Sequence, residues 1–146
     1  MNTYTFFLHL HSGLRWLILL IAVAAIVKSI IGVTQDKPFG KLDNILGASF
    51  AGTMHLQLLV GLVLYIFLSP ITKAAFKDFG AAMKNSDLRE YAVEHIFIMI
   101  LVAVLATIGR SKAKKSTEDA RKFRMQLIFF GAALVLMLIS IPWDRL

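Results

Sequence analysis

All four histidines lie in stretches with very few charged residues: His9 and His11 near the N-terminus, His55 mid-chain, and His95 beside Glu94. Arg15 follows His11 by four residues, so the two share a helix face while His9 points elsewhere. Ionisable groups are expensive in hydrocarbon and usually face a bundle interior, where they bind or conduct something. Imidazoles at matched height on separate helices can ligate a non-covalent haem iron from both axial sides. Three of them can instead hold copper or zinc, or they can hydrogen-bond between helices and only fix packing. An arginine in the same layer can pair a propionate or another anion. With no cysteine, the chain has no disulfide, thiolate metal site, iron–sulfur cluster or covalent haem attachment.

The elements that must position these groups are apolar spans. The 146 residues are 58% hydrophobic and 17% charged, with a mean hydropathy of +0.71. Soluble domains carry about a quarter charged residues, so an ordinary soluble enzyme and a disordered tail are both excluded. Four segments reach the roughly 20 residues that cross a bilayer. They run from about Tyr4 to Val27, Asp43 to Leu68 (ending at Ser69-Pro70), Tyr91 to Ile108 (closed by Gly109), and Phe123 to Ile141 (closed by Pro142). The first lacks a basic leader and a small-residue cleavage site, which reads as a retained helix. The expectation is an all-helical, four-span, up-down-up-down bundle, one integral membrane domain over residues 1–146.

The net charge of +7 reads as retention of basic loops on the cytoplasmic side, not as nucleic-acid binding. Lys28, Lys37, Lys41 and the run from Arg110 to Arg124 fall on one side; Lys73, Lys77, Lys84, Arg89 and Arg145 fall on the other. The richer side is expected in the cytoplasm, with both termini outside and Trp143 at the outer interface. Between spans two and three, Ile71, Ala75, Phe76, Phe79, Ala82 and Met83 share one helical face, and Lys73, Lys77 and Lys84 collect on another. The pattern predicts an interfacial amphipathic segment over about 71–84, with a lid over the bundle's outer end as the functional alternative.

Depth turns the polar residues into a layer. At 1.5 Å per residue from the cytoplasmic ends, His55 and Arg15 lie roughly 18 Å up, His95 roughly 21 Å and His11 roughly 24 Å. Gly13, Gly47, Ala51, Gly52 and Gly61 would let a flat macrocycle or a neighbouring backbone approach closely, although helix packing uses the same residues. Met54, Met99, Met125 and Met137 read as core filler.

The sequence His11-Ser12-x-x-Arg15-Trp16, the mid-span His55 and the Glu94-His95 pair resemble short four-helix bacterial membrane proteins of the cytochrome b type. That resemblance implies a multi-pass protein of the bacterial inner membrane, one non-covalent haem b, and electron exchange with quinone or other membrane redox subunits. It implies an electron-transfer subunit more than a stand-alone enzyme. The alternatives are a non-catalytic accessory subunit of a larger complex and a proton- or metal-handling membrane protein.

Bundle geometry selects among the histidines. Neighbouring helices pack about 8–10 Å apart, too close for two imidazoles and a macrocycle, whereas diagonal helices lie roughly 11–14 Å apart. Spans one and three are diagonal in sequential order, and span four has no histidine. His11 and His95 are therefore the expected axial ligands. His55 is expected beside the ring, with His55 and His95 as the alternative pair, and Arg15 is expected to meet an anionic group.

Overall fold

The computed structural model describes residues 2–143 and is all-helical across them, so Arg145 of the charge count lies outside the described residues. Helix α1 spans Thr3–Thr34 and begins where the Asn2 side chain accepts the Thr5 N–H at 2.8 Å. Helix α2 spans Lys41–Val63; Asp43 accepts the Gly40 N–H at 2.9 Å and occupies its first turn, where a carboxylate complements the helix dipole. A π-helical turn, Leu64–Leu68, extends α2 to the Ser69-Pro70 break. There the chain restarts as α3, Pro70–Lys77, with Ser69 at the cap and Pro70 at the first position, where its missing N–H costs nothing.

Two further short helices follow, α4 over Phe79–Lys84 and α5 over Ser86–Arg89. A second π-helical turn, Glu90–Glu94, leads into α6, His95–Lys115, and α7 covers Asp119–Ser140. Four helical stretches are long and apolar enough to cross a membrane: Thr3–Thr34, Lys41–Leu68, Ser86–Lys115 and Asp119–Ser140. Gly109 does not close the third. The helix runs on to Lys115, because a lone glycine weakens a helix by only about 1 kcal/mol. Its missing side chain is used for packing instead: a Cβ there would meet Phe129 Cβ at 2.6 Å.

The helices pack in sequence around a square. Contacts pair α1 with α2 and α7, and α6 with α2 and α7, leaving α1 diagonal to α6. Neighbours are antiparallel, as paired contacts at both ends show. His11 meets Gln57 and Lys28 meets Asp43 between α1 and α2; His95 meets Ser140 and Gly109 meets Phe129 between α6 and α7. The core sits toward the basic end, where Ala22, Ala25, Ala106 and Ala133 surround Phe50 and Phe130, whose ring centres are 4.7 Å apart. Small residues let these backbones come close, the usual solution where lipid gives no hydrophobic drive for association.

At the other end, α3 to α5 fold over the bundle. The apolar face expected for this segment divides. Ala75 and Ala82 pack with Ala92, Leu88 and Val93, whereas Phe76, Phe79 and Met83 stay exposed. The division follows from the break at Asp78, whose backbone leaves the helix and whose side chain accepts the Ala81 N–H at 3.1 Å to start α4. Thr72 Oγ1 donates to Tyr65 O at 2.8 Å, and the Tyr65 hydroxyl donates to Ala92 O, so the roof and both π turns are tied together.

Candidate functional site

Below this roof the four helices separate around a cavity of about 480 Å³. That size falls within the roughly 300–1,000 Å³ of small-molecule and cofactor sites. Its walls are mostly apolar, with Ile18, Met54, Leu58, Met99 and Met137 at the sides and Ile71 under the roof. Into it come His11, Ser12 and Arg15 from α1, Gln57 from α2, Tyr65 and Tyr91 from the two π turns, and His95 from α6. π turns insert an extra residue per turn and occur often at functional sites; here both flank the chamber.

His11 and His95 face one another across the α1–α6 diagonal, with ring centres 6.4 Å apart and planes at 78°. His95 is held by α7: its Nδ1 lies 3.1 Å from Ser140 O and 3.0 Å from Ser140 Oγ. A carbonyl oxygen only accepts, so Nδ1 carries the proton and Nε2 keeps the lone pair. The His11 ring lies on α2 at Gly61, where a Cβ would come within 3.2 Å of its Cε1. Arg15 Nη2 donates to Ser12 Oγ at 2.7 Å, and its guanidinium lies 5.3 Å from the Trp16 ring centre.

Among the described residues, three buried polar atoms of the chamber have no hydrogen-bond partner: His11 Nδ1, Arg15 Nε and Gln57 Oε1. Buried polar groups are nearly always paired, and unpaired ones gathered in one cavity mark a place for a polar ligand or water. The chamber therefore offers two opposed imidazoles for an electron-pair acceptor, a cation for an anionic group, and apolar walls for a flat or greasy body. Two imidazoles sharing one metal ion at about 2.0 Å per bond have ring centres about 6 Å apart. The 6.4 Å found between His11 and His95 suits that arrangement.

The expected layer of three histidines is corrected at His55. Its ring is exposed on the outer side of α2, where Nε2 lies 2.7 Å from Thr107 Oγ1. It borders a separate shallow hollow with Leu58, Ile100 and Val104, so it does not stand beside the chamber. Rotation about the helix axis decides which face a side chain takes. Among the described residues no group of three or more histidine, aspartate or glutamate side chains is placed to hold a metal ion, so a three-imidazole copper or zinc site lacks its ligands. His9 is exposed at the chamber rim, and Glu94 is exposed and paired with Arg89 at 2.7 Å.

Gln57 and Tyr65 belong to the site although their types alone did not single them out. The signal for Gln57 was its spacing: Phe50, Met54, Gln57, Gly61 and Leu64 form one row at intervals of three and four, which is the inward face of α2. Comparison of the chain with family models, curated proteins and solved structures finds no match, so its chemistry is read from these residues alone.

Proposed function

We propose that the chain is a four-span protein of a bacterial cytoplasmic membrane that binds one non-covalent haem b and passes single electrons, as a subunit of a respiratory or quinone-linked assembly. The observation that carries this reading is the opposed pair His11 and His95, 6.4 Å apart across the diagonal of the bundle and walled by apolar side chains. A bound haem would supply reversible one-electron chemistry at a potential that ligation and burial tune. The chain's own residues hold and shield it. His11 and His95 would hold it through their ring nitrogens, with Ser140 fixing the His95 tautomer. Arg15, with an uncommitted Nε, would neutralise one of its propionates. Apolar walls and the roof of α3 to α5 keep out bulk water.

In this reading the spans alternate up and down, with the basic end in the cytoplasm and both termini outside. The roof then lies at the outer headgroup layer, with Phe76, Phe79 and Met83 toward acyl chains and Lys73 and Lys77 near phosphates. A reporter active only in the cytoplasm is expected to work when fused after Lys115 and to fail after Lys84; the reverse would invert the orientation.

The deciding experiment is a reduced-minus-oxidised absorption spectrum of the purified chain, followed by haem per folded protein in four single variants. A sharp b-type α band is expected in the wild type. His11→Ala and His95→Ala should lose most of the haem, while His9→Ala and His55→Ala keep it. Arg15→Leu should weaken retention more than Arg15→Lys, which keeps the charge but not the planar fork. A featureless spectrum from fully folded protein would overturn the haem reading in favour of an accessory subunit. Loss in the His55 variant with retention in the His11 variant would replace the ligand pair.

A further inference from the structure

The two imidazoles of the chamber are not supported alike. His95 has its second nitrogen engaged by Ser140, whereas His11 Nδ1 is buried without a partner. Gln57, whose amide already meets the His11 main chain, is 4% exposed and stands one turn before Gly61, on which the His11 ring rests. The orientation of its amide follows from chemistry. Nε2 donates to the main-chain oxygen of His11 at 2.8 Å, and that oxygen can only accept, so Oε1 is turned the other way. Oε1 is also buried without a partner. The third unpaired atom of the chamber, Arg15 Nε, is a donor and cannot serve a protonated Nδ1 in the same manner.

We propose that Gln57 is the positioning residue of His11: its Oε1 accepts the Nδ1–H proton of His11 through one buried water, leaving Nε2 as the free electron pair. No direct hydrogen bond joins Gln57 Oε1 to His11 Nδ1, and a water needs two or more polar partners, which these two atoms provide. The result is a matched pair. Each imidazole is anchored at Nδ1 by a helix other than its own, His95 by Ser140 of α7 and His11 by Gln57 of α2. Ligand histidines characteristically donate their second N–H to a carbonyl, carboxylate or water, which fixes the tautomer and raises basicity. The consequence for haem rests on the function proposed above; the tautomer of His11 does not.

The test therefore has two independent readings. In haem-free wild-type protein in lipid nanodiscs, long-range proton–nitrogen NMR of labelled histidine should find His11 as the Nδ1–H tautomer. In Gln57→Leu it should become mixed or move to Nε2–H. Gln57→Glu keeps an acceptor for the water in either protonation state and should keep the wild-type tautomer. An Nε2–H tautomer in the wild type, or no change in Gln57→Leu, overturns the proposal. Should Gln57→Leu fail to fold, the wild-type spectrum and the Gln57→Glu variant decide alone. With haem added, Gln57→Leu should bind it about tenfold more weakly and at a higher midpoint potential, with affinity restored in Gln57→Glu. Wild-type protein that binds no haem would sink the proposed function, while the tautomer would still support or overturn the role of Gln57.

Discussion

At the basic end of the bundle the helices meet through alanines and glycines around the Phe50–Phe130 pair; at the opposite end the same helices stand apart around an open chamber. Side chains at the basic end mostly have partners, with Asp43 Oδ1 beside a cation though without a hydrogen bond. Ser29 Oγ donates to Ala25 O at 2.7 Å, Arg110 donates to Asn44 at 2.7 Å, and buried Asp43 has the Lys28 ammonium at 3.3 Å. The chamber end instead holds three polar atoms with nothing to bond. One half of the protein is closely packed, and the other encloses a chamber lined by polar atoms without partners. Close packing and open space are thus divided along the length of the same four helices.

Substitutions can break or sharpen that division. The largest loss of stability is expected for Phe130→Ala, which empties the centre of the packed half. The cost should be about 3 kcal/mol, the lower end for a buried phenylalanine. Leu58→Ala at the chamber wall should cost about 1 kcal/mol or less, since that side chain already lacks neighbours on one side. Equal losses in detergent unfolding would mean that the two ends are packed alike.

A smaller loss is expected from Gly109→Ala. Its Cβ would sit 2.6 Å from Phe129 Cβ, an atom that moves only with its backbone, so α6 and α7 must separate at a cost of about 1–3 kcal/mol. Gly61→Ala meets only the edge of the His11 ring, at 3.2 Å. It should change stability by less than about 1 kcal/mol, yet shift His11 and lower haem retention several-fold. The combination of normal unfolding and impaired binding separates a chamber position from a packing position.

The smallest effect is expected at Gly13 and Gly52, where an added Cβ meets nothing within 4 Å. Alanine at either should be neutral or stabilising by about 0.5–1 kcal/mol, from helix propensity alone. A clear destabilisation at Gly52 would reveal a partner helix seated on that face.

Much of this was legible in the chain. The four spans, the break at Ser69-Pro70 and the diagonal relation of the first and third spans follow from hydropathy, proline chemistry and the shortness of the connections. Those constraints act along the chain or on its order in space, so they need no knowledge of side-chain contacts. The meeting of His11 with His95 follows from order and depth together.

Rotation of each helix about its own axis was a different matter. His55 and Gln57 are two residues apart at nearly the same depth, yet one is exposed beside Thr107 and the other is buried against His11. Polarity would place either inside, and only the packing of Phe50, Met54 and Gly61 against their neighbours selects Gln57. The π turns at Leu64–Leu68 and Glu90–Glu94 also had no signature in composition, and they set which way Tyr65 and Tyr91 face. Sequence determined how many long apolar spans there are and the order in which they pack, because these depend on transfer energies and chain length. Tertiary structure decided which polar groups share a cavity, because azimuth is set by the simultaneous fit of four helices and by no residue alone.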